Sequence, residues 1–139
     1  MIDCLIIGDS IAVGTQHFKP ECQLVGKGGI NSWQWNKNYA NNVKPAETVI
    51  ISLGTNDHSG VNTFEELMRV RRKVEGKRVY WIMPHANNPK SGVDILEIQS
   101  IVDIIAKDFG DTVLPINHVQ ADNIHPSWAG YKELAKEAK

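Results

Sequence analysis

Residues 3–10 read Asp3-Cys4-Leu5-Ile6-Ile7-Gly8-Asp9-Ser10. The run up to Gly8 is continuously apolar rather than alternating, which suits a strand buried on both faces of a sheet. Gly8 permits the tight turn that lifts the next side chains above the sheet edge. Three similar runs follow at Gln23–Val25, Thr48–Leu53 (rich in β-branched residues) and Arg78–Met83, and a further one near Thr112–Ile116.

Longer amphipathic stretches separate these runs. Helices are expected over Ser32–Asn42, over Phe64–Glu75 and over Asp94–Phe109, with a last one starting after Pro126. Thr63 and Glu66 have the spacing of a capping box, and Gly76 suits a helix stop. Ile95, Ile98, Ile101, Val102 and Ile105 form one helical stripe that Gly110 ends. The alternation β-α-β-α-β-α-β-α-β-α predicts an α/β protein with helices on both faces of a five-stranded, mainly parallel sheet. In such sheets, ligands sit beyond the carboxyl ends of the strands. Residues just after strands are therefore the ones to inspect.

Three such segments carry chemistry. Gly8-Asp9-Ser10 follows the first strand, and Ser10 there reads either as a nucleophile or as a helix N-cap. Gly54-Thr55-Asn56-Asp57 follows the third. The Asn56 amide can aim an N–H at a developing oxyanion, and the same residues also make an ordinary turn. Asp122-Asn123-Ile124-His125-Pro126 follows the fifth. A carboxylate three residues before an imidazole can fold back onto Nδ1 and leave Nε2 to take a proton from a hydroxyl. This segment also reads as a turn with Pro126 at a helix start. Together, the three segments bring a nucleophile, a base with its orienting carboxylate and an oxyanion donor to one rim of the sheet.

The set Gly8-Asp9-Ser10, Gly54-Thr55-Asn56-Asp57 and Asp122 to Pro126, with Ser127-Trp128-Ala129-Gly130-Tyr131 after it, resembles the SGNH hydrolases, also called GDSL esterases and lipases. The resemblance spans nearly the whole chain and implies a three-layer α/β/α sandwich, flavodoxin-like, in agreement with the alternation. It implies Ser10 as nucleophile, Asp122 and His125 as the rest of a catalytic triad, and Ser10 N–H and the Asn56 side chain as oxyanion donors. The family's remaining donor is a glycine N–H, here within Gly26-Lys27-Gly28-Gly29-Ile30-Asn31-Ser32. Gly29 is chosen and Gly28 is the fallback. The implied activity is hydrolysis of small acyl esters, acetyl for example, through an acyl-enzyme. The leucine that usually follows the serine is Ile11 here. Only eighteen residues lie between Ser10 and Gly29, which leaves little chain for a lid or acyl tunnel and points to a shallow site.

Trp33 and Trp35 are two apart, so they do not share a helical face. One of them lies outside the core and can form a platform for a ring, and Trp33 is the candidate. His58 and His85, the latter in Met83-Pro84-His85-Ala86-Asn87-Asn88, lie on the functional edge as candidate substrate contacts, with surface histidine the plainer reading of His58. His17 and His118 have no supporting context. Asp9 and Asp57 read as hydrogen-bonded loop residues rather than metal ligands.

Composition narrows the classes. The chain has 139 residues, 42% hydrophobic, and a net charge of −1 from 15 basic and 16 acidic residues. That balance gives no electrostatic reason for a nucleic-acid or membrane partner. The expected partner is a small-molecule or carbohydrate acyl ester, with no metal or cofactor. The stretch before Gly8 has neither signal-peptide nor membrane-span character, which makes the cytoplasm the default compartment. Cys4 and Cys22, both in apolar strand-like surroundings, are expected as buried free thiols, with a bond between neighbouring strands the less favoured reading. The rivals to an esterase are an acyltransferase using the same residues and a non-catalytic binding module. A flavodoxin-type cofactor protein is the remotest, because no G-x-G-x-x-G or Walker pattern is present.

Overall fold

The computed structural model describes residues 1–85 and 92–139. Residues Ala86, Asn87 and Asn88 of the segment around His85 lie outside the described residues. The elements run β1 (Ile2–Gly8), α1 (Ser10–His17), β2 (Gln23–Gly26), α2 (Ser32–Tyr39), β3 (Ala46–Ser52), α3 (Thr63–Lys73), β4 (Gly76–Ile82), α4 (Ile95–Phe109), β5 (Thr112–Leu114) and α5 (Trp128–Glu137). The five described strands form one sheet in the order β2-β1-β3-β4-β5, and every pairing is parallel.

Alternating side chains divide the core in two. Leu5, Ile7, Val49, Ile51 and Trp81 face one side and meet Trp35 of α2, Leu67 and Val70 of α3, and Val102 and Ile105 of α4. Cys4, Ile6, Ile50, Ile82 and Leu114 face the other and meet Ile11 and Ala12 of α1 and Leu134 of α5. Each fully buried aliphatic side chain contributes about 1.5–3 kcal/mol relative to exposure, so the two layers together make β1 and β3 the least movable part of the molecule.

The strand order places a switch point beside β1. The chain leaves β1 toward β2 on one side and returns to β3 on the other, so the crevice for a ligand opens above the carboxyl ends of β1 and β3. Three backbones crowd there. Gly8 has φ +142°, and a Cβ on it would stand 1.8 Å from the Ser52 carbonyl oxygen. Only glycine meets both demands.

Four expectations are corrected by local chemistry. Cys4 and Cys22 are buried but not free: they form a disulfide. The parallel register pairs Leu5 with Gln23, so the two cysteines lie side by side one residue earlier, with a Cα–Cα distance of 4.5 Å. The cap of α3 is Asn62, whose side chain accepts from Glu65 N–H, because the Thr63 hydroxyl is taken by Asp57. Its last residue is Lys73 and Gly76 opens β4 instead of ending the helix. Pro126 precedes the α5 cap Ser127 and is not the first helical residue.

Reducing the Cys4–Cys22 bridge, which closes a loop of sequence separation 18, is expected to lower stability by about 2–4 kcal/mol. Denaturant unfolding with and without reductant checks this. Identical midpoints together with two titratable thiols in the untreated protein would contradict the bridge.

Candidate active site

Asp9 is the N-cap of α1, with Ile11 N–H donating to its Oδ1 at 3.0 Å. Ser10, the first helical residue, is thereby freed from the capping role, and its hydroxyl points out of the sheet edge to His125. Ser10 Oγ lies 2.8 Å from His125 Nε2. His125 Nδ1 lies 2.7 Å from Asp122 Oδ2.

Reaching this arrangement takes a return path across the sheet. β5 lies three strands from β1, about 14 Å at ~4.8 Å per strand. The residues after Leu114 bridge that gap and fold into a small hairpin, in which Val119 pairs with Pro126, Gln120 N–H donates to the His125 carbonyl at 2.8 Å and Ser127 N–H donates to the His118 carbonyl at 2.8 Å. At its tip Asn123 has φ +59°, a left-handed conformation that asparagine tolerates better than most residues. That reversal lets Asp122 Oδ1 accept from Ile124 N–H (2.9 Å) and His125 N–H (3.1 Å) while Oδ2 takes the imidazole.

The electrostatics assign the protons. The His125 side-chain bond, followed by the two backbone N–H groups, holds the Asp122 carboxyl down at about 2. An ionised carboxylate only accepts, so His125 Nδ1 carries the hydrogen, and in the neutral imidazole Nε2 then presents its lone pair to the Ser10 hydroxyl, which donates to it. Both side chains stay partly open to solvent, 34% for His125 and 41% for Asp122.

The Asn56 loop is bolted down from beneath. Asp57 is buried and accepts from Ser32 N–H (2.8 Å), Ser32 Oγ–H (2.7 Å) and Thr63 Oγ–H (2.8 Å). One carboxylate thus ties the loop after β3 to the starts of α2 and α3. Asn56 Nδ2 donates to the Ile30 carbonyl at 3.1 Å. An amide nitrogen has two N–H groups, so this bond fixes the side chain and leaves a second donor. A Cβ on Gly28 would stand 3.8 Å from Ser10 Cβ, whereas Gly29, at φ +78°, has open space around it.

The secondary candidates separate. Trp35 is buried and donates its Nε1–H to the Val25 carbonyl at 2.9 Å, while Trp33 is half exposed with Lys37 Nζ 5.1 Å from its ring centroid. His58 lies on an exposed turn and its Nδ1 accepts from Gly60 N–H. His85 is half-buried just after β4. Among the described residues, no cluster of three or more His, Cys, Asp or Glu is arranged to hold a metal ion, and no helix is long and apolar enough to cross a membrane.

Sequence reasoning missed Asn123, Ser52 and Tyr131. Ser52 Oγ–H donates to Asp9 Oδ1 at 3.1 Å inside the protein. Burial pushes the Asp9 carboxyl up to about 7, and its Oδ2 has no protein partner. Tyr131 packs against Gly14, one turn beyond Ser10, and burial with the nearby Asp9 and Asp122 charges raises its phenol to about 12.

No family model matches the chain, and no curated protein does. Solved structures do. A GDSL-like lipase from Bacteroides thetaiotaomicron superposes with a TM-score of 0.70 at 20% identity, over 98% of this chain and 86% of its own. The aryl esterase of M. smegmatis gives 0.68 at 14% identity, over 99% and 96%. The C-terminal catalytic domain of the Streptococcus pneumoniae peptidoglycan O-acetyltransferase gives 0.64 at 16%, also over 99% and 96%.

A carboxyl raised by burial is protonated in the fold and ionised in the unfolded chain between pH about 4 and 7, so its contribution to stability falls as pH rises through that window. Asp9→Asn keeps the acceptor for Ile11 and Ser52 without the charge. The wild-type protein is therefore expected to lose stability relative to Asp9→Asn between pH 5 and pH 8 in denaturant unfolding, and a constant difference would contradict a neutral Asp9.

With its all-parallel 2-1-3-4-5 sheet and the serine, asparagine and histidine segments on one rim, the chain has the fold of the SGNH, or GDSL, hydrolases.

Proposed function

We propose that this chain is an SGNH-type serine esterase that hydrolyses small acyl esters through an acyl-enzyme. The observation that supports this most is the unbroken hydrogen-bonded line Ser10 Oγ–His125–Asp122, with an ionised carboxylate at its far end.

Ser10 Oγ attacks the ester carbonyl carbon as its proton passes to His125 Nε2. The imidazolium formed is stabilised by Asp122, and the oxyanion is met by Ser10 N–H, the free N–H of Asn56 and Gly29 N–H. The peptide unit joining Gly28 to Gly29 carries that last donor, and the nearness of Gly28 to Ser10 supports it. Collapse of the intermediate breaks the bond to the alcohol, which leaves with the proton from His125. Water then repeats the sequence on the acyl-serine and regenerates the hydroxyl.

The partial exposure of His125 and Asp122 favours a short acyl group, since a shallow site shields little chain from water. It also supports acyl transfer as a second reading, because an acceptor alcohol can reach the acyl-enzyme as water does. The likeness to the O-acetyltransferase domain agrees with that. Product analysis with added acceptor alcohols separates transfer from hydrolysis. The buried Cys4–Cys22 bridge supports an oxidising compartment in place of the cytoplasmic default.

On a series of p-nitrophenyl acyl esters, turnover is expected to be highest for acetyl and to vanish in Ser10→Ala. Asn56→Ala is expected to lower kcat by roughly a hundredfold or more, the ~2.7–4 kcal/mol of one oxyanion donor. Wild-type turnover in Ser10→Ala would overturn the assignment.

A further inference from the structure

An aromatic group lies outside the hydrogen-bonded line, where the end of α1 meets the start of α5. The His17, Phe18 and Trp128 rings meet edge to face, with centroids 4.8–5.4 Å apart. Trp128 is nonetheless 63% exposed. An indole packed against two rings yet largely open to solvent is a preorganised stacking surface. With Gly14, Gln120 and Tyr131 these rings line a mostly apolar hollow of about 240 Å³. Drug-sized ligands occupy ~300–1,000 Å³, so this one suits a single ring.

Its position relates it to the chemistry. Gly14 is four residues and His17 seven beyond Ser10 on α1, so all three lie along one helical face, and Gly14 is about 6 Å from Ser10 along the axis. Trp128 is three residues after His125, within ~11 Å even for extended chain. The Tyr131 ring, against Gly14, thus lies one turn from the serine, and it shares with Trp128 the helix that follows His125. In acyl transfer the imidazole protonates the departing alcohol, so groups on the imidazole's side of the serine are the ones placed to meet that alcohol.

We propose that the hollow under Trp128 is a subsite for the sugar ring of a carbohydrate acyl ester, stacked on the indole and carrying the hydroxyl that leaves. This rests on the esterase reading above. A pyranose suits a wet, one-sided platform because its C–H face covers the indole while its hydroxyls keep their water, whereas an aryl group gains most where both faces are buried.

The test compares Trp128→Ala with wild type on glucose pentaacetate, ethyl acetate and phenyl acetate. The kcat/KM on the sugar ester is expected to fall at least tenfold more than on ethyl acetate, chiefly through KM, with Trp128→Tyr recovering most of it. Equal losses on sugar and ethyl esters would overturn the subsite, and so would a loss on phenyl acetate as large as that on the sugar. A fluorescence titration of the wild-type protein with glucose pentaacetate reads the subsite independently of turnover. A saturable change absent in Trp128→Ala supports it, and no change overturns it. A protein that hydrolyses none of the three esters yet shows that change would fail the esterase reading alone.

Discussion

At the carboxyl end of β1 three backbones meet with almost no side chain between them. Gly8 is pressed between Gly26 and Ser52, close enough that a methyl group on it would lie inside the van der Waals radius of the Ser52 carbonyl. This close approach lets the chain turn out of the sheet within one residue. Asp9 then drops into the interior to cap α1, and Ser10 emerges at the rim. The position of the hydroxyl is therefore a consequence of backbone packing in the centre of the sheet, where the apolar faces of β1 and β3 resist displacement.

The other parts of the site are fixed by buried polar groups. Asp57, with three donors on its two oxygens, ties the Asn56 loop to two helix starts, and a group so satisfied costs little to bury. Asp9 is the opposite case: one oxygen is bonded and the other has no protein partner, and burial raises its carboxyl to about 7. The His125 hairpin is looser and more exposed, held by backbone bonds and by a left-handed Asn123. A rigid nucleophile facing a more exposed base fits a reaction in which the imidazole must serve two partners in turn.

The sheet and the three rim segments were readable because apolar runs, glycines after strands and acid–imidazole spacing are local signals. What was not readable depends on register or competition. The disulfide follows from the one-residue offset between β1 and β2, which no spacing of Cys4 and Cys22 reveals. Thr63 has the residue type of a cap, but a buried Asp57 claimed its hydroxyl and Asn62 took the role. Ser10 likewise had the residue type of a cap, and Asp9, one position earlier, holds it. The Trp128 cluster joins α1 to α5 from opposite ends of the chain, so His17 carried no signal of its own.

The central claim is that the Ser10 hydroxyl is made nucleophilic by His125. Treatment with a serine-directed organophosphate, followed by intact-mass and peptide analysis, tests it directly. A single adduct on the peptide containing Ser10, formed by the wild-type protein and strongly slowed in His125→Ala, is the result this account requires. An unmodified protein, or an adduct that forms as fast without the imidazole, would contradict it.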